Sequence, residues 1–316
     1  MIRKFLALVL LFSYSSTIAI AAPAKPVKVV AAKALLTSSL SGSSADEIVG
    51  IIHTTQGFIF SGTVESNTAS PLLSAAGLGK SDGFISAVGY AGSRIFDLRL
   101  GTSADDVATG VTRDKSGIYW VVGATSNPIS RVDTAVAVPA INPDNAAVES
   151  ITVPTGLNRL LVWKISATGS LLSTYTYDPV QEIYPQEISQ GTSGFTITGL
   201  LADATSFSIN MDAAGAFSAI APVTIKKVVQ PELVVIKAGT NTYKSFISKT
   251  TIIGIPTWKA KSPTPVVVQY NKANTLKAAY SLKGTVIYQK WQSSIGLVVV
   301  TQTTGSYSLY VLPLVA

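Results

Sequence analysis

Cysteine is missing from the 316-residue chain, histidine occurs once, as His53, and charged residues make up only 13% of it. The absence of cysteine excludes a disulfide scaffold, thiol catalysis and a cysteine-ligated metal. With a single histidine we predict neither a metal nor a cofactor. Intrinsic disorder needs low hydrophobicity and high charge, whereas 47% of this chain is hydrophobic. The sequence therefore predicts a fold that is stabilised by apolar packing.

Acidic residues are also scarce in the C-terminal part. Residues 222–316 contain eleven lysines and a single carboxylate, Glu232, whereas 22–221 is net acidic. One interpretation is a basic face for an anionic cell-envelope polymer or glycan, and the other is lysines that only solvate strands and blunt sheet edges. Arginine is absent from this part, which argues against nucleic acid as the partner. The candidate ligand-binding residues are Lys226, Lys227, Lys249, Lys259, Lys261 and Lys290, with Trp258 and Trp291 as sugar-stacking surfaces.

The N-terminal segment 1–21 predicts a secretory signal peptide. Arg3 and Lys4 precede an apolar run over 5–12, and Ala19-Ile20-Ala21 has the small-x-small pattern of a cleavage site. The apolar run is shorter than the roughly 20 residues of a spanning helix, although an uncleaved anchor is the alternative. We expect a mature chain that is secreted or attached to the cell surface, without a membrane span.

The remaining sequence is typical of short strands, and it repeats. Apolar runs rich in Val, Ile, Thr, Tyr and Phe are separated by Gly, Asn, Asp and Ser. The segment Ser44–Ile48 recurs as Ser103–Val107, and Gly57–Gly62 recurs as Gly194–Gly199. Such self-similarity indicates a repeat architecture.

A second recurring element consists of two strands joined by a short turn. The turn contains Gly92, Gly169, Gly215 or, in the last copy, Asn274. Glycine and asparagine are the residues that most easily adopt the positive φ of a tight hairpin turn. We therefore predict left-handed backbone at these four positions.

Joining the two elements gives a unit of four strands. On this division, 34–66 contains the last three strands of a unit and 306–315 contains one, so the two termini together complete a fifth unit. The sequence predicts an all-β fold, a β-propeller over 37–316 with five four-stranded blades closed by N- and C-terminal strands. The four complete copies begin near Asp82, Asn158, Thr205 and Thr264.

Two other architectures remain possible from the sequence, and two segments fall outside the repeated units. A pair of immunoglobulin-like sandwiches or an outer-membrane barrel would also need many short strands. Residues 22–36 are predicted to be an exposed lead. The insertion 128–156 is either a functional loop that binds a protein partner or an extra hairpin that covers a blade edge.

A family resemblance rests on three stretches. Asp114–Gly123 resembles "D-x-S-G-x-x-Y-V-x-G", Leu100–Asp106 resembles "L-G-G-S-G-x-D", and Lys164–Tyr175 resembles "K-L-D-x-x-G-x-L-x-W-S-T-Y". These are the motifs of the bacterial secreted β-propeller repeat called SBBP. Thr102 and Ala104 replace two glycines of that repeat. The resemblance implies a propeller and little about chemistry.

Catalytic motifs are missing, and we assign no catalytic residue. The chain has no Gly-x-Ser-x-Gly elbow, no His-Glu-x-x-His and no phosphate loop. His53 lies within a predicted strand and is interpreted as an ordinary strand residue. Trp120 and Trp163, which lie within apolar predicted strands, are interpreted as core residues.

The carboxylates leave open one alternative to a binding function, which is catalysis. The pairs Asp46/Glu47 and Asp105/Asp106 occupy equivalent places, which favours a repeated turn over catalysis. Asp97, Glu182 and Glu187 break the repeat. Two of these carboxyls near the propeller channel would suit a glycoside hydrolase. The sequence favours an exported, non-catalytic binding or scaffold module, and the carbohydrate-active enzyme is the alternative.

Overall fold

The computed structural model describes residues 26–39, 46–65, 70, 72–127, 156–224, 233–252, 254–293, 295–303 and 306–313. The predicted signal peptide over 1–21, nearly all of the insertion 128–156, and the candidate residues Lys226 and Lys227 lie outside these ranges.

Every regular element in the described ranges is a β-strand. The first ten strands are β1 Val29–Ala31, β2 Leu36–Ser39, β3 Glu47–Thr54, β4 Gly57–Glu65, β5 Ser81–Gly89, β6 Arg94–Leu100, β7 Asp106–Arg113, β8 Tyr119–Thr125, β9 Arg159–Ile165 and β10 Leu171–Tyr177. The next eight are β11 Ile183–Gln190, β12 Gly194–Leu201, β13 Ser206–Asp212, β14 Ala221–Pro222, β15 Leu233–Ala238, β16 Asn241–Ser248, β17 Thr251–Ile252 and β18 Ile255–Lys259. The last five are β19 Thr264–Tyr270, β20 Leu276–Ser281, β21 Thr285–Gln292, β22 Gly296–Thr303 and β23 Ser306–Leu312.

The strands form five sheets of four or five strands and one separate hairpin, β17–β18. Sheet I is β3-β4-β5-β6, sheet II is β7-β8-β9-β10 and sheet III is β11-β12-β13-β14. Sheet IV has the order β15-β16-β19-β20-β1, and sheet V has the order β21-β22-β23-β2. Neighbouring strands pair antiparallel within each sheet, except that β1 is parallel to β20. The first strands of sheets I, II, III and V lie together at the centre. The chain is a β-propeller.

The predicted left-handed turn positions are confirmed. The hairpins between the third and fourth strands of sheets I, II and IV contain Gly92, Gly169 and Asn274, with φ of 82°, 90° and 57°. The corresponding turn of sheet III contains Gly215, with φ of 93°. An L-residue with a branched side chain would be strained at each position, so the sequence fixes these turns locally.

Strands from both termini meet in one sheet, but the predicted division of strands was wrong. Sheet V takes three strands from the C-terminal end and one, β2, from the N-terminal end, with Leu36 opposite Leu309. The predicted unit starting at Asp82 combines β5 and β6 of sheet I with β7 and β8 of sheet II. A sequence repeat has the same period wherever its start is placed, so it does not reveal where each sheet begins.

Part of the predicted lead is a paired strand. Strand β1 lies parallel to β20, with Val29 opposite Ala279. Val29 is half-buried against the outer face of sheet IV, while Val30 is 57% exposed. Residues 26–36 therefore add a fifth strand, β1, to sheet IV. The chain then enters β2, which is the fourth strand of sheet V.

The sheets pack face to face through apolar clusters. Sheet I shares one cluster with sheet V and another with sheet II; sheet II also packs on sheet III, and sheet IV packs on sheet V. Trp120 and Trp163 are 3% and 2% exposed, which confirms their predicted core role. Representative pairs across the four junctions are Phe60 and Val298, Ile85 and Trp163, Trp120 and Phe195, and Tyr243 and Leu312.

The outer face of sheet IV is covered by the β17–β18 hairpin. Ile252 and Ile255 are buried against Val266, and a Cβ on Gly254 at the hairpin tip would lie 3.7 Å from Leu276. The outer face of sheet III is polar, with Thr196 hydrogen-bonded to Asn210. Among the described residues no apolar cluster joins sheets III and IV.

Candidate functional site

The first strands of four sheets share a β-bulge. In sheets I, II, III and V the pairing of the first strand with the second shifts by one residue near its N-terminal end. Bulges bend a strand and re-aim its side chains, and they are frequent beside binding sites. The residues on either side of the shifts are Ile48 and Gly50, Ala108 and Gly110, Pro185 and Glu187, and Val286 and Tyr288.

Glycines after two of these bulges let adjacent first strands approach closely. A Cβ on Gly50 would lie 2.4 Å from Val111 Cγ1, and a Cβ on Gly110 would lie 3.3 Å from Glu187 Cα. At the same level Glu187 and Tyr288 carry long side chains. Small residues on two strands and large polar ones on the other two leave a cavity between them.

This central cavity has a volume of about 540 Å³ and is lined by β3, β7, β11 and β21. Its charged residues are Arg113, Glu187 and Lys290, all three exposed. Sequence reasoning named Lys290 and Glu187 without placing them together, and it missed Arg113. The only signal in the sequence was their position on first strands of different repeats.

Arg113 is oriented by its own hairpin. Its Nε donates to Gly117 O at 3.4 Å, and its guanidinium lies 5.6 Å from the centre of the Tyr119 ring. Lys290 and Glu187 form no ion pair within the part of the chain that the structure describes. The cavity therefore presents two cations and one carboxylate to solvent.

The predicted carboxylate pairs are structural where they are buried. Asp46 accepts a hydrogen bond from Glu65 N at 2.8 Å, and Asp106 accepts one from Thr102 N at 2.6 Å. Burial raises the pKa of Asp106 and of Glu47. Asp105 is at the surface, 3.7 Å from Lys80. These contacts agree with the interpretation of the two carboxylate pairs as parts of a repeated turn.

Glu187 is the only acidic residue among the described residues lining the cavity. Asp97 instead anchors a surface loop, because its carboxylate accepts backbone N–H groups of Ser74 and Ala75 at 2.6 and 2.7 Å. Within the described ranges no three His, Asp or Glu residues are grouped as metal ligands. The same ranges contain no helix that is long and apolar enough to cross a membrane.

Asp97 gives a pH-dependent prediction. Burial alone would raise its pKa, but the hydrogen bonds from Ala75 and Ser74 and the Arg94 guanidinium, 3.0 Å away, outweigh burial and lower the pKa. Its folded pKa thus lies below the unfolded value of about 3.9, so Asp97 stabilises the fold above that pH and the contribution is lost as pH falls through the folded pKa.

We expect Asp97→Asn to lower the melting temperature at pH 7 and to change it little at pH 2 to 3. Thermal unfolding of both proteins across this pH range measures the difference. Asp105→Asn is the matched control, because its exposed pair with Lys80 should contribute almost nothing. An equal effect of Asp97→Asn at both pH values would contradict the assignment.

His53 is part of a small hydrogen-bond network. Its Nε2 lies 2.5 Å from the Tyr90 hydroxyl, which donates to Thr54 O at 2.9 Å. Since that hydroxyl proton is used, His53 Nε2 is the donor in the first bond. Burial lowers the pKa of His53, so the ring is neutral at pH 7. This arrangement suits the predicted role as a strand residue.

The structure brings three of the candidate lysines together at the base of the β17–β18 hairpin. Ala260 N donates to Thr250 O at 2.5 Å, and Lys249 and Lys261 flank this bonded pair. Lys259 is opposite Thr251 in the same hairpin. We call the exposed residues Lys249, Lys259 and Lys261 the hairpin lysine patch.

The two candidate tryptophans pack into apolar clusters. Trp258 alternates with Lys259 along β18 and is half-buried against the cluster on sheet IV. Trp291 packs 5.8 Å from the Tyr243 ring between sheets IV and V. Trp258 therefore fixes the hairpin on the sheet, and Lys259 is left on the opposite, solvent side.

Carboxylates do not neutralise this region. The sequence from 233 to 316 contains nine lysines and no Asp or Glu. Within the described ranges none of these lysines forms an ion pair, and Lys244 instead lies 4.7 Å from the Tyr270 ring centre. Sheets IV and V are thus a cationic part of the molecule.

Three solved structures are similar to parts of this chain at low sequence identity. A protein of unknown function from Bacteroides caccae is 10% identical with a TM-score of 0.36, and the match covers 81% of this chain and 71% of that one. The Nup133 β-propeller domain of Vanderwaltozyma polyspora is 8% identical with a TM-score of 0.27, over 85% and 72% of the two chains. The Dos1 propeller is 10% identical with a TM-score of 0.31, over 84% and 67%.

No family model and no curated protein matches the chain. The resemblance to SBBP repeats therefore stays a prediction. Likenesses with TM-scores below 0.5 carry no argument about function, which has to be argued from the residues of this chain.

Proposed function

We propose that the chain is an exported, non-catalytic binding module that attaches to an anionic cell-envelope polymer through the hairpin lysine patch. The predicted signal peptide supports export. The observation that carries the proposal is the clustering of Lys249, Lys259 and Lys261 on one hairpin, in a part of the sequence without Asp or Glu.

The physical argument is electrostatic. Exposed lysines without anionic partners create a positive potential, and a polymer with a charge on each repeat can contact several of them at once. Lysine is a strongly hydrated point charge, so it suits non-directional attraction better than shape-specific recognition. The binding should therefore be strong at low salt and weak at high salt.

The enzyme alternative has less support. Glycoside hydrolysis needs two carboxyl groups about 5 to 10 Å apart. Glu187 is the only carboxylate among the described residues that line the cavity. Capture of a protein partner by 128–156 concerns residues outside the described ranges and stays a prediction.

Binding to immobilised polymers tests the proposal. We expect the mature chain to bind polygalacturonate and poly(glycerol phosphate), but not neutral dextran, at about 0.1 M salt. At about 1 M salt the screening length falls from roughly 10 to 3 Å, and the binding should be lost. The triple variant Lys249→Gln, Lys259→Gln, Lys261→Gln should reduce binding at low salt by about tenfold or more.

A matched control separates the patch from net charge. Lys237, Lys272 and Lys277 lie at the opposite end of sheet IV, and replacing all three with Gln removes the same charge. The control should keep most of the binding. An equal loss of polymer binding in both variants would show that only the net charge matters and would contradict the assignment to the patch. Salt-resistant binding to dextran would also contradict the proposal.

A further inference from the structure

The central cavity is a second polar site, distinct from the hairpin lysine patch. Its volume of about 540 Å³ falls within the range of small-molecule pockets, roughly 300 to 1,000 Å³. Four strands from four sheets line it, so its walls belong to the packed scaffold instead of loops. Such walls hold polar groups in fixed positions.

Two cations and one anion give the cavity a net charge of +1. Arg113 is oriented through Gly117 O and the Tyr119 ring, and these contacts leave both terminal guanidinium nitrogens able to donate. Lys290 supplies a second cation from β21. Among the described residues, neither cation is paired with a carboxylate. A ligand with one anionic group would neutralise this net charge of +1.

The uncharged lining points to hydroxyl groups on the same ligand. Thr112, Gln186 and Tyr288 line the cavity with Glu187, and these residue types carry hydrogen-bond donors and acceptors. Burial raises the pKa of Tyr288, which keeps its hydroxyl protonated as a donor. A carboxylate such as Glu187 accepts from hydroxyls but repels a second anionic group. Ile52 and Val111 add apolar wall against which a carbon skeleton can pack.

We propose that the central cavity binds a small monoanionic, polyhydroxylated molecule of the sugar-acid class. Its carboxylate contacts Arg113 and Lys290, and its hydroxyls contact Gln186, Glu187 and Tyr288. This site is independent of the polymer-binding surface, because the two share no residue.

Calorimetric titration with sodium glucuronate tests the proposal, with glucose as the neutral and glucosamine as the cationic comparison. We expect saturable binding of glucuronate, and binding of glucose and glucosamine at least tenfold weaker. Equal binding of glucose and glucuronate would overturn the assignment of an anion site, and so would absence of glucuronate binding at millimolar concentration.

Two separate variants locate the site. Arg113→Gln and Lys290→Gln should each weaken glucuronate binding by about tenfold, since each removes a charge-assisted hydrogen bond. Lys283→Gln removes an exposed lysine outside the cavity and should change the affinity less than twofold. Thermal unfolding checks that each variant is folded. Unchanged affinity in both cavity variants would overturn the proposal.

The hairpin triple variant distinguishes the two proposals. It should lose polymer binding and keep glucuronate binding, whereas Lys290→Gln should do the reverse. Loss of glucuronate binding in the hairpin variant would place the small-anion site on the patch and overturn its assignment to the cavity.

Discussion

Replacing Gly123 with alanine should lower the free energy of unfolding by about 3 kcal/mol, because the new methyl group has no space. Its Cβ would lie 1.9 Å from Val107 O and 2.7 Å from the Trp163 ring. Gly62 has the same place in sheet I, where a Cβ would lie 1.9 Å from Glu47 O. In both sheets the obstacle is backbone of the bulged first strand, which cannot move aside without breaking the sheet pairing.

Urea denaturation of the Gly123→Ala and Gly62→Ala proteins measures the effect. Gly191→Ala is the control, because the nearest atom to its Cβ would be Gly194 O at an ordinary 3.6 Å. The control should change the free energy of unfolding by about 0.5 kcal/mol or less. Wild-type stability in both test variants would mean that the second strand does not approach the bulge this closely.

Removing residues 1–40 should have the second large effect. The shortened chain lacks β2, which pairs with β23, and β1, which pairs with β20. Sheet V would expose the edge of β23, and the apolar cluster would lose Leu36. We expect a loss of about 4 kcal/mol, on the order of 10 °C in Tm, together with self-association through the open edge.

A chain that begins at Pro26 is the control, since it keeps both strands. A synthetic peptide of residues 26–40 adds a second measurement, because it should raise the Tm of the shortened chain by pairing with β23. A shortened chain that stays monomeric with unchanged Tm would show that β2 contributes nothing to sheet V.

Local features of the fold were predictable because single residues determine them. The positive φ at Gly92, Gly169 and Asn274 follows from the conformational freedom of those residue types. The recurrence of Gly57–Gly62 as Gly194–Gly199 correctly marked equivalent second strands, β4 and β12. Such signals depend on a few neighbouring residues and survive divergence elsewhere in the repeat.

The grouping of strands into sheets was not predictable in the same way. The repeat beginning at Asp82 has the right period but the wrong starting strand, since pairing across the chain ends decides where a sheet starts. The β17–β18 hairpin interrupts sheet IV between β16 and β19, and its position there was not recognised. Lys249 and Lys261 are twelve residues apart in sequence, and only the hairpin brings them together.

The cavity residues were beyond sequence reasoning for a related reason. Arg113, Glu187 and Lys290 come from three different sheets, and their neighbourhood depends on how those sheets are ordered around the centre. The bulges in the first strands of sheets I, II, III and V also shift which residues face inward. Neither the order nor the bulges leave a pattern in composition or spacing.

Among the described residues, the outer face of sheet IV packs against the β17–β18 hairpin instead of a neighbouring sheet. Each of sheets I, II and V packs against a neighbouring sheet through an apolar cluster on both of its faces. Sheet III instead has a polar outer face. Strand β15 contributes none of the described residues that line the cavity. Among the described residues sheets III and IV share no apolar cluster, so moving these two sheets apart would expose less apolar surface than separating any of the four packed pairs of sheets.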